Sequence, residues 1–505
     1  MKQELAYEQI AQRMHPLWML FSIVKSIKEL ILWIVFFAIF ISSNSNPIFM
    51  IGGIAAGAIY LIYNFVSIFL DWKHFKYVFT DKEMYIYEGR FIKEDRFIPL
   101  ERIQGISQNT HFFHRLFGLT SLLLETGSNE KKSSIKLEMI TYEEAARIQK
   151  HLGHINFIPK KENESDIQKV ELIEPQYISR DKHYEMAPKE ILVKSLMSLK
   201  LLLLIPLIQE VYSNINDFIS IDGYINEIIS FFQKSWFLMS LGILILLIMS
   251  LVYGMIKTYI QYGNFQVTSD QHRIFIRTGV FNKTEFSIPK EKIQAININT
   301  NLLKRWFGLV QVKIISITDM EDKDMRTAKV LFPLIDKNRA LLLIPEILPA
   351  FKIDTKMIGV PKYTIFIKMV RSSYIWIIGT ILTYYFWAEF WYIPIILFVL
   401  INTSQILNGL YSGYKLNGEF IQLQRGGFST NLFITNRKNI EELKIVESGL
   451  QRLFGLATLQ SSIRAKPVKK TKVFDLPKDV ARNYYYWYGS STKYINKKVS
   501  IKEMK

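Results

Sequence analysis

The 505-residue chain has no cysteine, which excludes disulfide frameworks, cysteine-ligated zinc, iron–sulfur clusters and thiol nucleophiles together. Charge is also scarce: 21% of residues are Asp, Glu, Lys or Arg, against about a quarter in an ordinary globular chain. Acid is the scarcer sign, with 45 carboxylates facing 63 Lys and Arg for a net charge of +18. Glycine-rich phosphate loops, an H-E-x-x-H helix and a G-x-S-x-G elbow are all missing, and with them the common signatures of nucleotide, zinc-peptidase and hydrolase chemistry. Apolar residues are abundant instead. Hydrophobic side chains make up 49% of the sequence and mean hydropathy is +0.12, which points to bilayer contact and away from a soluble enzyme.

Three charge-free runs, at 47–70, 236–256 and 390–410, are each long enough to cross a hydrocarbon core of about 30 Å as a helix. A second apolar stretch precedes each, near 30–43, 197–211 and 372–387, and is basic where it begins: Lys25 and Lys28, Lys194 and Lys200, Lys368 and Arg371. These stretches span if their cations snorkel to the headgroups; otherwise they are re-entrant or interfacial. The links within each pair are short or acidic, and nearly all basic residues lie in the helix starts and polar segments. The positive-inside rule then puts both termini and every polar domain in the cytoplasm. Residues 1–16 are polar and no small-residue cleavage site follows the first apolar run, so the first hairpin is expected to be retained.

The polar segments repeat. Arg115-Leu116-Phe117-Gly118-Leu119, Arg305-Trp306-Phe307-Gly308-Leu309 and Arg452-Leu453-Phe454-Gly455-Leu456 are one motif written three times. Upstream stand Ile98-Pro99 with Arg102-Ile103-Gln104, Ile288-Pro289 with Lys292-Ile293-Gln294, and a degraded third copy running from Ile434 to Ile440. Alternating strands surround each motif, and a helix closes each unit: Thr141 with Glu144 forms a capping box ahead of Ala145, Ile148 and Leu152, while 336–348 and 475–488 hold the equivalent places. The expected class is membrane α-helical hairpins plus α+β, with three tandem domains, each a bent antiparallel sheet or open barrel closed by a C-terminal helix. Hairpins are expected at 17–70, 188–257 and 362–411, and domains at 71–180 with a linker, 262–355 and 413–505.

These residues resemble the bacterial pleckstrin-homology-like, membrane-flanked domain family in its multi-spanning, triple-repeat form. The resemblance implies a seven-stranded, helix-capped PH-like fold, a cell (inner) membrane location, no cofactor, no established catalysis and, for some members, a link to envelope stress and resistance to membrane-active peptides. It also implies a protein partner, such as a smaller relative of the same family.

The repeated Arg115, Phe117, Gly118; Arg305, Phe307, Gly308; and Arg452, Phe454, Gly455 read as a fold signature, with glycine bending the backbone, Phe and the following Leu entering the core, and Arg pairing or capping nearby. Basic hairpin tips follow: Lys131 and Lys132; Lys323 and Arg326; and Arg464, Lys466, Lys469, Lys470 and Lys472. The first and third are candidates for anionic headgroup contact, worth about 1 kcal/mol per cation at a leaflet; a solvated turn is the plain alternative. His111 and His114, like His151 and His154, are spaced i, i+3 without a carboxylate-rich third arm, so no metal site is assigned. Nucleic acid is not expected, because the positive charge follows the membrane flanks and no binding motif accompanies it. The five aromatics at 484–488 suit either interfacial docking or ordinary packing. Together these features favour a non-catalytic lipid- or protein-binding scaffold. A transporter or channel component is the alternative, and it predicts polar residues aligned across several spans.

Overall fold

A computed structural model describes residues 11–26, 47–90, 92–126, 134–155, 180–195, 236–317, 329–386, 388–465 and 468–489. Two compact units form: Met1–Ile178 with Phe281–Ser287, and Ser179–Val280 with Ile288–Lys505. The leading helices expected near 30–43 and 197–211, with Lys28 and Lys200, lie outside the described residues.

In the first unit the apolar run becomes a 28-residue helix, Pro47–His74, about 42 Å long at 1.5 Å per residue. A short apolar helix, Leu17–Ser26, precedes it. Strands β1 (Lys76–Phe79), β2 (Glu83–Glu88) and β3 (Glu94–Pro99) form one antiparallel sheet in that order. A single 3-10 turn, Leu100–Arg102, leads to β4 (Ile103–Thr110); the motif helix Phe112–Leu116 leads to β5 (Leu119–Thr126), and β6 (Ser134–Thr141) precedes the closing helix Tyr142–Ile155. Alternation in β2 sends Met84 and Ile86 inward, where they join Leu122, Leu124 and Leu137 and the helical face of Ala145, Ile148 and Leu152. The Thr141 hydroxyl accepts from the Glu144 amide at 3.3 Å, as the capping signal requires. Gln12, ahead of the hairpin, exchanges two backbone hydrogen bonds of 2.9 Å with Tyr77. Segment Phe281–Ser287 adds a strand to this unit, its Lys283 to Ser287 pairing antiparallel with Thr110 to Ile106 of β4.

The second unit begins with β7 (Asp181–Glu185), which pairs with β8 (Gln266–Ser269) and so lies on the far side of the 27-residue helix Trp236–Tyr262 in sequence. After β9 (Arg273–Thr278) and β10 (Lys283–Pro289) come β11 (Ile293–Asn301), the motif helix Leu302–Trp306, β12 (Leu309–Ser316), β13 (Val330–Asp336) and the helix Lys337–Ile347. β14 (Ile358–Gly359) precedes a hairpin of helices Thr364–Phe386 and Tyr392–Tyr411. The third repeat follows as β15 (Gly413–Asn417), β16 (Phe420–Arg425), β17 (Ser429–Asn436), β18 (Ile440–Val446), the motif helix Gly449–Leu453, β19 (Leu456–Ile463), β20 (Lys469–Pro477) and the helix Lys478–Gly489. One sheet of this unit runs β13-β12-β11-β17-β16-β15-β14, and a second runs β18-β19-β20.

Each repeat is therefore two half-sheets and a closing helix, and each receives an additional strand or bridge from residues before its own hairpin: Gln12, β7 and β14. The sequence places these residues in linkers. Three described stretches, Ala55–His74, Thr364–Phe386 and Tyr392–Tyr411, are long and apolar enough to cross a bilayer. At the hairpin turn, Tyr384, Tyr385, Phe386, Trp391 and Tyr392 are exposed, an arrangement that suits the aromatic belt of an interface.

Two boundaries shift from the sequence reading. The third repeat aligns one residue later, because Asn436 holds the position before the 3-10 turn that Pro99 and Pro289 hold in the other copies. Its closing helix starts at Lys478, so Asp475 lies inside β20, with a left-handed φ of 63° at a register shift.

Candidate functional site

The third hairpin meets its repeat through Asp475. Met139 holds the same position in the first repeat, three residues before the closing helix, and it too has positive φ (52°). There the bulge contacts the chain entering the hairpin, the His15 amide donating to the Met139 carbonyl at 3.0 Å. In the third repeat the bulge presents a fully buried carboxylate instead. Arg371 grips it with both guanidinium nitrogens, at 3.1 and 3.2 Å, the planar fork that guanidinium and carboxylate share. The Gln451 side-chain amide donates to the same carboxylate at 2.7 Å and to the Thr458 hydroxyl at 2.9 Å.

Lys368 is 1% exposed. Its Nζ donates to Asn408 Oδ1 at 2.9 Å and stands 3.9 Å from Asp475. Asn408, near the end of the second hairpin helix, donates to the Gly426 carbonyl at 3.0 Å. Gly409 lets the helices close at this point, since a Cβ there would fall 2.2 Å from Ile365. The sequence reading has Lys368 and Arg371 extending toward headgroups. The structure encloses Lys368 and folds the partly exposed Arg371 onto Asp475, a carboxylate 104 residues away.

Beside this network lies a cavity of about 660 Å³ lined by Lys368, Arg371, Arg425, Ser429, Asn431 and Phe474 among others. Arg371 and Arg425 both stand 5.4 Å from the Phe474 ring. Lys368, Arg371 and Arg425 make the lining positive, and Asp475, buried behind it, is the carboxylate that Arg371 holds. The cavity sits at the first turns of one apolar helix and the last turns of the other.

The signature motif divides in a way the sequence does not reveal. Leu119, Leu309 and Leu456 are buried as expected, and Gly118, Gly308 and Gly455 adopt φ of +67°, +66° and +64°, which only glycine accepts without strain. The phenylalanines, however, are not core residues: Phe117, Phe307 and Phe454 are 54%, 57% and 49% exposed, and Trp306 beside them is 85% exposed. The motif helix is only five residues long, so its last side chains overhang the strand below and cannot reach the sheet interior. Arg115 lies 5.9 Å from the Phe112 ring. Arg305 stands 3.8 Å over the Tyr411 ring at the end of a hairpin helix and donates to the Gly427 carbonyl and the Thr430 hydroxyl. Arg452 is exposed.

Of the basic tips, Lys131, Lys132, Lys323, Arg326 and Lys466 lie outside the described residues. Arg464, Lys469, Lys470 and Lys472 are exposed, the lysines along β20. The late aromatics split between roles: Tyr484 is core, the Tyr488 hydroxyl donates to the Ile440 carbonyl at 3.0 Å, and Tyr485 and Tyr486 face outward.

His114 is buried edge-on against Phe21 at 5.3 Å and His111 at 5.0 Å. Burial, with the neighbouring His111 charge, lowers its pKa to about 4. An unfolded histidine titrates near 6.5, so the unfolded chain takes up this proton first and the first repeat loses stability as pH falls from about 6.5 to about 4. H114F is expected to flatten that part of the stability profile, measured as thermal unfolding between pH 7 and pH 4. An unchanged slope would remove the assignment. Among the described residues no group of three potential metal ligands occurs.

Three stretches, 30–155, 217–349 and 365–492, match the bacterial PH domain family. The chain belongs to that family. The chain is also similar to a protein of Bacillus subtilis (strain 168) described as UPF0699 transmembrane protein YdbT, with 25% identity over 492 residues, 95% of this chain and 98% of that relative. No solved structure matches.

Proposed function

We propose that this bacterial PH protein is a non-catalytic scaffold of the cytoplasmic face of the inner membrane, and that the joint between its third hairpin and third PH repeat takes the phosphate of an anionic lipid headgroup. The cavity bounded by Lys368, Arg371 and Arg425 carries the reading, since it combines a positive lining with the ends of two apolar helices, where a spanning helix meets headgroup phosphate. The basic helix starts support cytoplasmic orientation through the positive-inside rule. Binding without chemistry suits a site whose polar groups are cations, amides and hydroxyls around one fully engaged carboxylate. Hairpins that hold the PH repeats at the leaflet raise the effective concentration of headgroups and membrane-bound protein partners. A part in envelope stress or resistance to membrane-active peptides, as the family resemblance implies, would act through that headgroup recognition.

The test is native mass spectrometry of the full chain released from bilayers of phosphatidylglycerol and phosphatidylcholine. Wild type is expected to retain phosphatidylglycerol, R425E to lose it, and the tip variant K469E/K470E/K472E to keep it. Loss with the tip variant alone would move headgroup contact to β20. Equal retention of the two lipids by wild type would sink the proposal.

A further inference from the structure

The two joints between consecutive repeats share one construction. In the first unit β4 accepts Lys283 to Ser287, with Asn109 opposite Thr284 and Ser107 opposite Phe286. In the second unit β11 accepts β17, with Asn299 opposite Asn431 and Asn297 opposite Phe433. Counted from the 3-10 turn of each repeat, these are the same positions. The fourth strand of one repeat thus takes the third strand of the next, in the same register both times.

The series leaves one strand of each kind over. β18, the fourth strand of the last repeat, pairs with β19, and among the described residues its other edge has no strand partner. β3, the third strand of the first repeat, pairs with β2 and is likewise open on its outer edge. We propose that β18 of one molecule pairs antiparallel with β3 of a second copy of this chain, joining molecules head to tail by the contact that joins the repeats inside each one.

The internal register, carried over, sets Val446 opposite Glu94, Ile445 opposite Asp95, Lys444 opposite Arg96 and Leu443 opposite the exposed Phe97. Diagonal neighbours on one face are then Lys444 with Glu94 and Glu442 with Arg96, two opposite-charge contacts within reach across an antiparallel pair. The like pair Lys444 and Arg96 is buffered, since Lys444 already holds Glu442 at 2.8 Å and Arg96 holds Glu88 at 2.8 Å. These charges also keep the two edges from pairing indiscriminately. The motif helices reinforce the joint. In the first, the Phe112 amide donates to Asn282 Oδ1 at 3.3 Å and its ring meets Phe281; in the second, Arg305 donates to Gly427 and Thr430. On the last repeat the position of Phe112 is held by Gly449, and Gly449, Arg452 and the neighbouring Leu453 are exposed, as is Ile92, the counterpart of Asn282, on the first. A head-to-tail contact of this kind is heterologous and extends into rows or rings in the membrane plane. It does not depend on headgroup binding.

The absence of native cysteine makes disulfide trapping clean. Differently tagged full-length chains carrying V446C and E94C, co-expressed and mildly oxidised in native membranes, are expected to form a disulfide-linked heterodimer, and the doubly substituted chain V446C/E94C a ladder of multimers. N299C/N431C, the same position in the internal joint, should close within one chain and reports that the chemistry works; N109C/T284C is its duplicate in the first unit. V446C with D95C, one residue out of register and on the opposite face, should link poorly. The proposal is overturned if an internal pair closes while 446 and 94 do not link, if 446 links to 95 as readily as to 94, or if 446 links to a different protein.

Discussion

Replacing Asp475 with alanine is expected to destabilise the third hairpin and its PH repeat by about 3–5 kcal/mol, the usual loss when one member of a buried ion pair is removed. Three side chains lose their shared acceptor together: Arg371 with both its arms, the Gln451 amide and the neighbouring Lys368 ammonium. Lys368 suffers most, because it is enclosed and keeps only the Asn408 amide oxygen. Thermal unfolding of the full chain in detergent measures the effect. D475N should fall between wild type and D475A, since its amide oxygen still accepts from Gln451. Adding K368M to D475A should recover part of the loss, because the stranded cation is then gone. Equal stability of D475A and wild type would show that the carboxylate does not hold this joint.

The second large effect separates two residues of one motif. L456A is expected to cost about 2–5 kcal/mol, as a fully buried leucine next to the strand core. F454S, two residues earlier, is expected to change stability by less than about 1 kcal/mol, because half of that ring is already in contact with solvent. The same contrast should hold for L309A against F307S. If F307S and F454S unfold their repeats, the phenylalanines are core after all. Their exposure in all three repeats, with Trp306 alongside, instead gives each repeat an apolar knob suited to a neighbouring surface or the bilayer interface.

Much of the plan was legible in the chain. Charge-free runs marked the helices Pro47–His74, Trp236–Tyr262 and Tyr392–Tyr411, because a helix crossing lipid must be apolar along most of its length. The thrice-written Arg-x-Phe-Gly-Leu marked the repeats, and its glycine carries the positive φ expected of a bend in every copy. Thr141 and Glu144 fixed the start of one closing helix. Errors arose where a local pattern fades. Without a proline at Asn436 the sequence pattern of the third repeat places its 3-10 turn one residue early, and the bulge at Asp475 has the sequence pattern of a helix start.

The candidate site was hardly legible at all. In sequence Lys368 and Arg371 are only cations at the start of a span, and Arg464, Lys466, Lys469, Lys470 and Lys472 are a more conspicuous cluster because they fall close together. Arg425 and Asp475 carried no signal, since nothing in their neighbours says which distant group they meet.

By itself the sequence determined the number of repeats and the long apolar helices, which follow from periodicity and composition within short windows, while the PH-like class was implied by the family that the repeated motifs resemble. Only the tertiary structure decided that strands ahead of each hairpin rejoin the repeat after it, that repeats link by shared sheets, and that Arg371 and Asp475 meet across 104 residues. Those outcomes depend on which edges and charges find each other once the chain has folded back, and a linear order of residues does not rank such distant pairings.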